Sequence, residues 1–245
     1  MKTAIVITSG KGGTGKTSLT GGVSSCLAAL GNKVLCIDMD VGLRNLDLAL
    51  GMTDRVLMDF TDVIRGRCTL QRAAVKHPVI ENLSLLTAPL SLSAGVTEAG
   101  MAALIEEAKT EYDYILMDSP AGMGEGFRLA VCAADRALVV CTTDASALRD
   151  AQQVVAQLTH EIGRIHLVMN KIRPKLLKRL HTTIDDAMDA AGLPLLGVVP
   201  DDEQVILAAN LGKPIILTSR RGAALAYLNI ARRLMGQRIP LMHLR

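Results

Sequence analysis

Aromatic side chains are nearly absent from this 245-residue chain, making up 2 % of it against 49 % for apolar residues as a whole. An interior must therefore be built from Ala, Val, Ile, Leu and Met, as in buried parallel sheets. No apolar run approaches the roughly 18 residues of a membrane span. Met1-Lys2-Thr3 leads straight into a strand-like segment, without the apolar stretch of an export signal. Neither sign of charge dominates: 27 basic and 24 acidic residues leave +3, too little to imply nucleic acid or an anionic membrane surface. The five cysteines (Cys26, Cys36, Cys68, Cys132, Cys141) form no CxxC pair and read as buried, reduced thiols in a reducing cytoplasm. No repeat and no linker interrupts the chain, so residues 1–245 are expected as one domain.

Short apolar runs alternate with longer helical patterns. Ala4–Thr8, Val34–Ile37, Leu83–Thr87, Tyr114–Met117, Ala137–Cys141, Ile165–Met169 and Leu195–Val199 read as strands, each continuous and so buried on both faces. Between the first two, Leu19, Val23, Leu27 and Leu30 keep a helical spacing up to Gly31, a common position just past a helix end. Glu98–Lys109, Ala147–Glu161, Leu176–Ala191 and Ala223–Met235 are further helix expectations. The alternation predicts an α/β fold: a doubly wound, mostly parallel sheet flanked by helices on both faces. Met52–Pro78 is the least regular stretch, with short amphipathic pieces around Val56–Ile64 and Leu70–Val75 expected as small helices capping the sheet.

Gly10-Lys11-Gly12-Gly13-Thr14-Gly15-Lys16-Thr17 satisfies G-x-x-x-x-G-K-[ST] and lies between an expected strand and an expected helix, the context that motif requires. Its glycines let backbone N–H groups turn in on phosphate oxygens at the positive end of the helix that starts near Thr17. Gly10 to Ser18 are thus the nucleotide-binding segment, with Lys16 aimed at the β- and γ-phosphates and Thr17 at Mg²⁺. Lys11, a second lysine in the same loop, would repel Lys16 if both converged on one phosphate from one side, so it is expected to point outward. A solvated lysine without a role satisfies the spacing as well. Asp38 and Asp40 follow one apolar run and Asp118 ends another, which brings all three to the carboxyl edge where open α/β sheets bind ligands. There Asp118 can hold Mg²⁺ directly or through water. Helix capping or a surface turn is the alternative for each of these aspartates.

The run Lys11–Thr17 resembles the signature-lysine loop of the MinD/ParA family of deviant Walker A P-loop ATPases, which are P-loop NTPases of the SIMIBI type. Asp38-Met39-Asp40-Val41-Gly42-Leu43-Arg44-Asn45-Leu46-Asp47-Leu48 is similar to the MinD form of that family's second motif and lacks the Pro-Gln of the ParA form. Asp118-Ser119-Pro120-Ala121-Gly122 resembles its Walker B and the switch that follows, and Ser146-Ala147-Leu148-Arg149-Asp150 resembles a helix start that carries partner contacts. The matching order runs over residues 2–236. The resemblance implies an ATPase that uses ATP and Mg²⁺ and forms a homodimer on ATP, with Lys11 crossing to the partner's phosphates. It implies that Asp40 orients the attacking water, that Asp38 lies near the metal held by Thr17 and Asp118, and that Asn45 touches the nucleotide region. Asn170 and Pro200-Asp201 would embrace the base, and adenine is favoured because Arg173 stands where a guanine-reading Asp would be; at Pro200-Asp201 a structural turn fits as well.

The implied role is spatial regulation of the cell division site, through a division inhibitor (MinC-like) and a topological regulator (MinE- or DivIVA-like) that meet the region of Arg149 and Asp150 and stimulate a slow hydrolysis. The alternatives are a ParA-type DNA-segregation ATPase and a flagellar-placement ATPase. For DNA speaks a basic group of Arg164, Lys171, Arg173, Lys175, Lys178 and Arg179, which reads equally as a solvated face; Leu43-Arg44-Asn45 speaks against, and nucleic acid is not the expected partner. The family usually ends in an amphipathic membrane helix. Here Gly236–Arg245 form a short tail in which Pro240 breaks any helix and only Leu241, Met242 and Leu244 are apolar beyond it. Membrane attachment is therefore implied by the family and opposed by the tail; the expected place is the cytoplasm, with a peripheral position at the inner face of the cell membrane as the family's alternative.

Overall fold

Alternate residues of the first strand, β1 (Thr3–Thr8), face two separate cores: Ala4 and Val6 enter one, Ile5 and Ile7 the other. That is what a strand buried on both sides requires, and it organises the molecule. The computed structural model describes residues 2–55, 58–91 and 96–242. Through it runs one eight-stranded sheet with β2 (Val34–Asp38), β3 (Val75–Lys76), β4 (Leu83–Leu86), β5 (Tyr114–Asp118), β6 (Arg136–Cys141), β7 (Ile165–Ile172) and β8 (Leu195–Pro200), in the order β3-β4-β2-β5-β1-β6-β7-β8. Every neighbouring pair is parallel except β3 with β4.

One face is covered by α1 (Lys16–Ala29), α2 (Leu46–Leu50), α10 (Glu203–Asn210) and α11 (Gly222–Leu234). The other carries α3 (Phe60–Ile64), α4 (Leu70–Ala73), α5 (Glu98–Glu111), α6 (Glu125–Val131), α7 (Ala145–Leu158) and α9 (Ile184–Ala191), while α8 (Pro174–Leu180) buries no residue fully. The doubly wound, mostly parallel sheet with helices on both faces is the architecture expected. Close approach of α1 and α11 depends on Gly22: a Cβ there would lie 2.2 Å from Tyr227 Cδ2, and Tyr227 is the largest fully buried side chain.

Three expectations need correction. Leu176–Ala191 is not one helix: His181 turns to φ 51° and ends α8, and Thr183 and Asp186 then form a reciprocal capping box that starts α9. Asn170 and Lys171 do not follow β7 but belong to it, at a register irregularity where Lys171 takes φ 55°. Leu70–Val75 is a helix only to Ala73, since Val75 opens the antiparallel β3. Of the piece around Val56–Ile64, Val56 and Leu57 lie outside the described residues, as does Leu244 of the tail.

Candidate functional site

The carboxyl ends of the parallel strands converge on the loop between β1 and α1. Gly13 (φ 78°) and Gly15 (φ 91°) take left-handed conformations that only glycine adopts without strain, which curls the loop's N–H groups inward ahead of α1. At Gly15 there is a second constraint, because an added Cβ would meet Asn170 Nδ2 at 2.3 Å. Asn170 is buried and its Nδ2 donates to Thr14 O (2.8 Å), while Lys171 Nζ donates to Gly13 O (2.8 Å). Both side chains at the end of β7 are thus spent on bracing the loop's backbone. On the loop's other flank, a Cβ at Gly10 would run into the backbone carbonyl carbon of Asp150 at 2.3 Å, so the loop and α7 are in direct contact.

The two lysines of the loop part company. Lys16 is buried, and its Nζ donates to Ser9 Oγ (3.0 Å), whose hydroxyl in turn donates to Lys11 O (2.7 Å). Burial lowers the Lys16 pKa, and the charges of Asp118 and Asp40 work against that shift. Lys11 is exposed, and its Nζ donates to Ser146 Oγ (2.8 Å) on the first turn of α7.

Asp38 and Asp118 end neighbouring strands in register, both fully buried. Asp38 accepts from Asp40 N (2.9 Å) and Leu46 N (3.0 Å), which ties the switch loop between β2 and α2 to the strand end. Asp118 accepts from Thr20 Oγ1 (3.1 Å) and from the Thr17 side chain. Burial holds both carboxyls above the usual carboxylate range; for Asp118 the charge of Asp38 adds to the rise, and for Asp38 the charges of Asp40 and Asp47 do. Asp40 is half-buried, raised by burial and lowered by Lys16. Two buried carboxyls, a threonine hydroxyl and a curled loop of free N–H groups form a donor set suited to a hard divalent cation and a polyphosphate.

Asn45 is exposed at the start of α2 with no side-chain cap bond. Next to it, Arg44 (φ 45°) donates from Nε to Ala88 O (2.6 Å) and pairs with Asp59 (3.8 Å), which pins the switch loop from outside. Pro200 and Asp201 lie at the end of β8, and Asp201 pairs with Arg173 (2.5 Å) from the loop after β7. Beside that pair is a cavity of 730 Å³ lined by Ile172, Arg173, Arg179, Pro200, Asp201 and Gly222 among others. Arg149 is exposed and Asp150 half-buried on α7.

Sequence reasoning missed Ser9, Thr20 and the bracing role of Asn170 and Lys171. Thr20 was within reach: it follows Lys16 by four residues and Thr17 by three, hence shares their helix face. Ser9 and the Asn170 brace carried no local signal, because each is defined by a strand or loop distant in the chain.

The family described as AAA domain matches residues 2–175. The septum site-determining protein MinD of Synechocystis is 43 % identical over 246 residues, covering 99 % of this chain and 92 % of that protein. A chain of the MinC:MinD cell division protein complex of Aquifex aeolicus superposes with a TM-score of 0.92 at 39 % identity, covering 98 % of each chain. MinD of Pyrococcus horikoshii complexed with Mg-ADP is similar at a TM-score of 0.83 and 29 % identity, covering 96 % of each.

Proposed function

The chain belongs to the MinD family of septum site-determining P-loop ATPases, and from that membership and the layout of its loop edge we infer an ATP-switched dimer whose two sites are completed by exchanged lysines. It is a MinD-like ATPase that regulates the position of the division site, and the DNA-segregation alternative is the less favoured. The observation that carries the switch is the separation of Lys11 from Lys16: one ammonium sits inside the cradle, the other outside it on α7.

In this reading the N–H groups of Gly10–Thr17 and Lys16 hold the phosphates of ATP, and Thr17, Asp118 and Asp38 attend the metal. Mg²⁺, when bound, supplies positive charge to the β- and γ-phosphate oxygens as the bond to the leaving group breaks. Its requirement is suggested by the two buried carboxyls that end neighbouring strands and by the Mg-ADP bound to the Pyrococcus relative. Asp40, half-buried beside Lys16, orients the attacking water. The Pro200-Asp201 and Arg173 side holds the adenine, with Asn170 steadying the loop beneath it; Ser18 and Asn45 complete the surround of the nucleotide. Five free cysteines suit a cytoplasmic protein, and no described helix is long and apolar enough to cross a membrane. A peripheral visit to the inner membrane face remains the family's reading.

When Lys11 leaves Ser146 for the partner subunit's phosphates, the first turn of α7 loses a tie. The same helix touches Gly10 through Asp150. Nucleotide state and the Arg149–Asp150 surface are in this way mechanically joined, which suits docking of a MinC-like inhibitor, such as the one solved with the Aquifex relative, and of a MinE- or DivIVA-like regulator that stimulates hydrolysis. Lys16→Ala is expected to lose ATP binding, whereas Lys11→Ala keeps it yet elutes as a monomer from a sizing column run in Mg·ATP. An ATP-dependent dimer of Lys11→Ala would overturn the exchanged-lysine reading.

A further inference from the structure

The last described residues are stapled to the fold. Arg233, near the end of α11, donates from Nη1 to Leu196 O on β8 (2.8 Å), from Nε to Ile239 O (3.0 Å) and from Nη2 to Pro240 O (2.6 Å). One planar guanidinium thereby joins the outermost strand, a helix of the core and the segment 238–242. Two residues past Pro240, Met242 lines the same 730 Å³ cavity as Pro200, Asp201 and Gly222.

The opposite end of α11 also meets that cavity. Asp202 accepts from Gln204 N through Oδ1 (3.0 Å) and from Ala223 N through Oδ2 (2.8 Å), so a single carboxylate fixes the starts of both α10 and α11. Gly222 must lack a side chain there, since a Cβ would meet Asp202 Oδ2 at 2.0 Å and φ is 54°. The rim of the cavity is therefore rigid on the Asp202 side, while Met242 is an unbranched thioether, a shape and polarisability suited to the face or edge of a heterocycle.

We propose that Met242 is a wall of the nucleobase end of the ATP site, so that the base, and not the phosphates, adds a tie to the segment 238–242 beyond the one Arg233 already makes. The proposal rests on the reading that Pro200-Asp201 and Arg173 face the adenine. It makes Met242 a binding residue and Arg233 a positioning residue that holds the segment in reach. The tail then reports nucleotide occupancy to whatever meets this part of the surface.

Calorimetric titration with Mg·ATP and, separately, with Mg·tripolyphosphate tests it. Met242→Ala is expected to weaken Mg·ATP about fivefold and to leave Mg·tripolyphosphate unchanged. Unchanged Mg·ATP affinity in Met242→Ala overturns the proposal, and so does an equal loss for both probes, which would mark a merely structural residue. If the unmodified protein binds the two probes equally tightly, the base makes no useful contact and the reading of the cavity fails with it. Hydrogen exchange of the unmodified protein is the second measurement. Amides of Arg238, Ile239, Leu241 and Met242 should exchange more slowly with Mg·ATP than with Mg·tripolyphosphate, and equal exchange refutes the fastening.

Discussion

Gly10 and Gly15 flank the phosphate loop and are constrained differently. At Gly15 both the backbone, at φ 91°, and the Asn170 amide, 2.3 Å from an added Cβ, exclude any side chain. Gly15→Ala should therefore unseat the brace from Asn170 to Thr14 O and lower nucleotide affinity at least tenfold, since cradling N–H groups lose their common aim. Far-ultraviolet circular dichroism should stay native, because the strain is confined to one loop; an Ala variant that binds ATP normally would contradict the bracing role. At Gly10 the obstacle is α7 itself, and the residue's smallness is what lets the phosphate loop and α7 share a contact. The pattern G-x-x-x-x-G-K-[ST] names both glycines, yet the reason for each lies in residues more than a hundred positions away.

Pairs of elements carry the next set of consequences. α1 and α11 pack so closely at Gly22 that an alanine methyl would overlap the Tyr227 ring, which is walled in by core and cannot retreat. Gly22→Ala should cost about 1–2 kcal/mol even after the gain in helix propensity, about 2–4 °C in thermal midpoint per kcal/mol for a chain of this size. The β3–β4 turn depends on His77. Its buried ring accepts from Val79 N (3.1 Å) and Ile80 N (2.9 Å) at Nδ1 and donates from Nε2 to Leu50 O (2.9 Å), a pattern only the neutral ring can satisfy. Burial lowers its pKa, with the charge of Arg55 adding to the effect. The unfolded ring takes a proton below pH 6.5 while the folded ring still resists, so the unfolded state binds more protons in that window. Stability is fully present above pH 6.5 and falls as the pH drops from there towards the lowered folded value. Urea unfolding from pH 7.5 to 5 should show a shallower loss for His77→Asn than for the unmodified chain; equal slopes would exclude His77 as a source.

Across the whole molecule, three strand ends, two switch loops and the start of α7 meet at one edge, so whatever binds there is felt by all of them. Chelation of Mg²⁺ should withdraw the metal's charge from the buried Asp38 and Asp118 and keep the protein monomeric in ATP; light scattering that finds a dimer in excess EDTA would count against the metal's part. Five of the eight strands (β1, β2, β5, β6 and β8) were legible as continuous apolar runs to within a residue or so, because a strand buried on both faces has no polar alternation to blur it. β4 was found with its far end one residue too long, and β7 was found but ended three residues short. The two-residue β3 went unseen, and so did α6 and α10, since helices of seven and eight residues make only about two turns and leave little periodic signal.

Residue identity and spacing alone settled the alternation of strands and helices, the phosphate loop and the carboxylates at the strand ends, because backbone propensity, glycine freedom and apolar periodicity act over a few neighbouring positions. That Lys11 rests on Ser146, that Asn170 serves the loop, that α7 leans on Gly10 and that Met242 reaches the cavity beside Pro200 were set by packing. Each of those contacts joins segments far apart in the chain, and their distances exist only once the sheet has brought its strands into order.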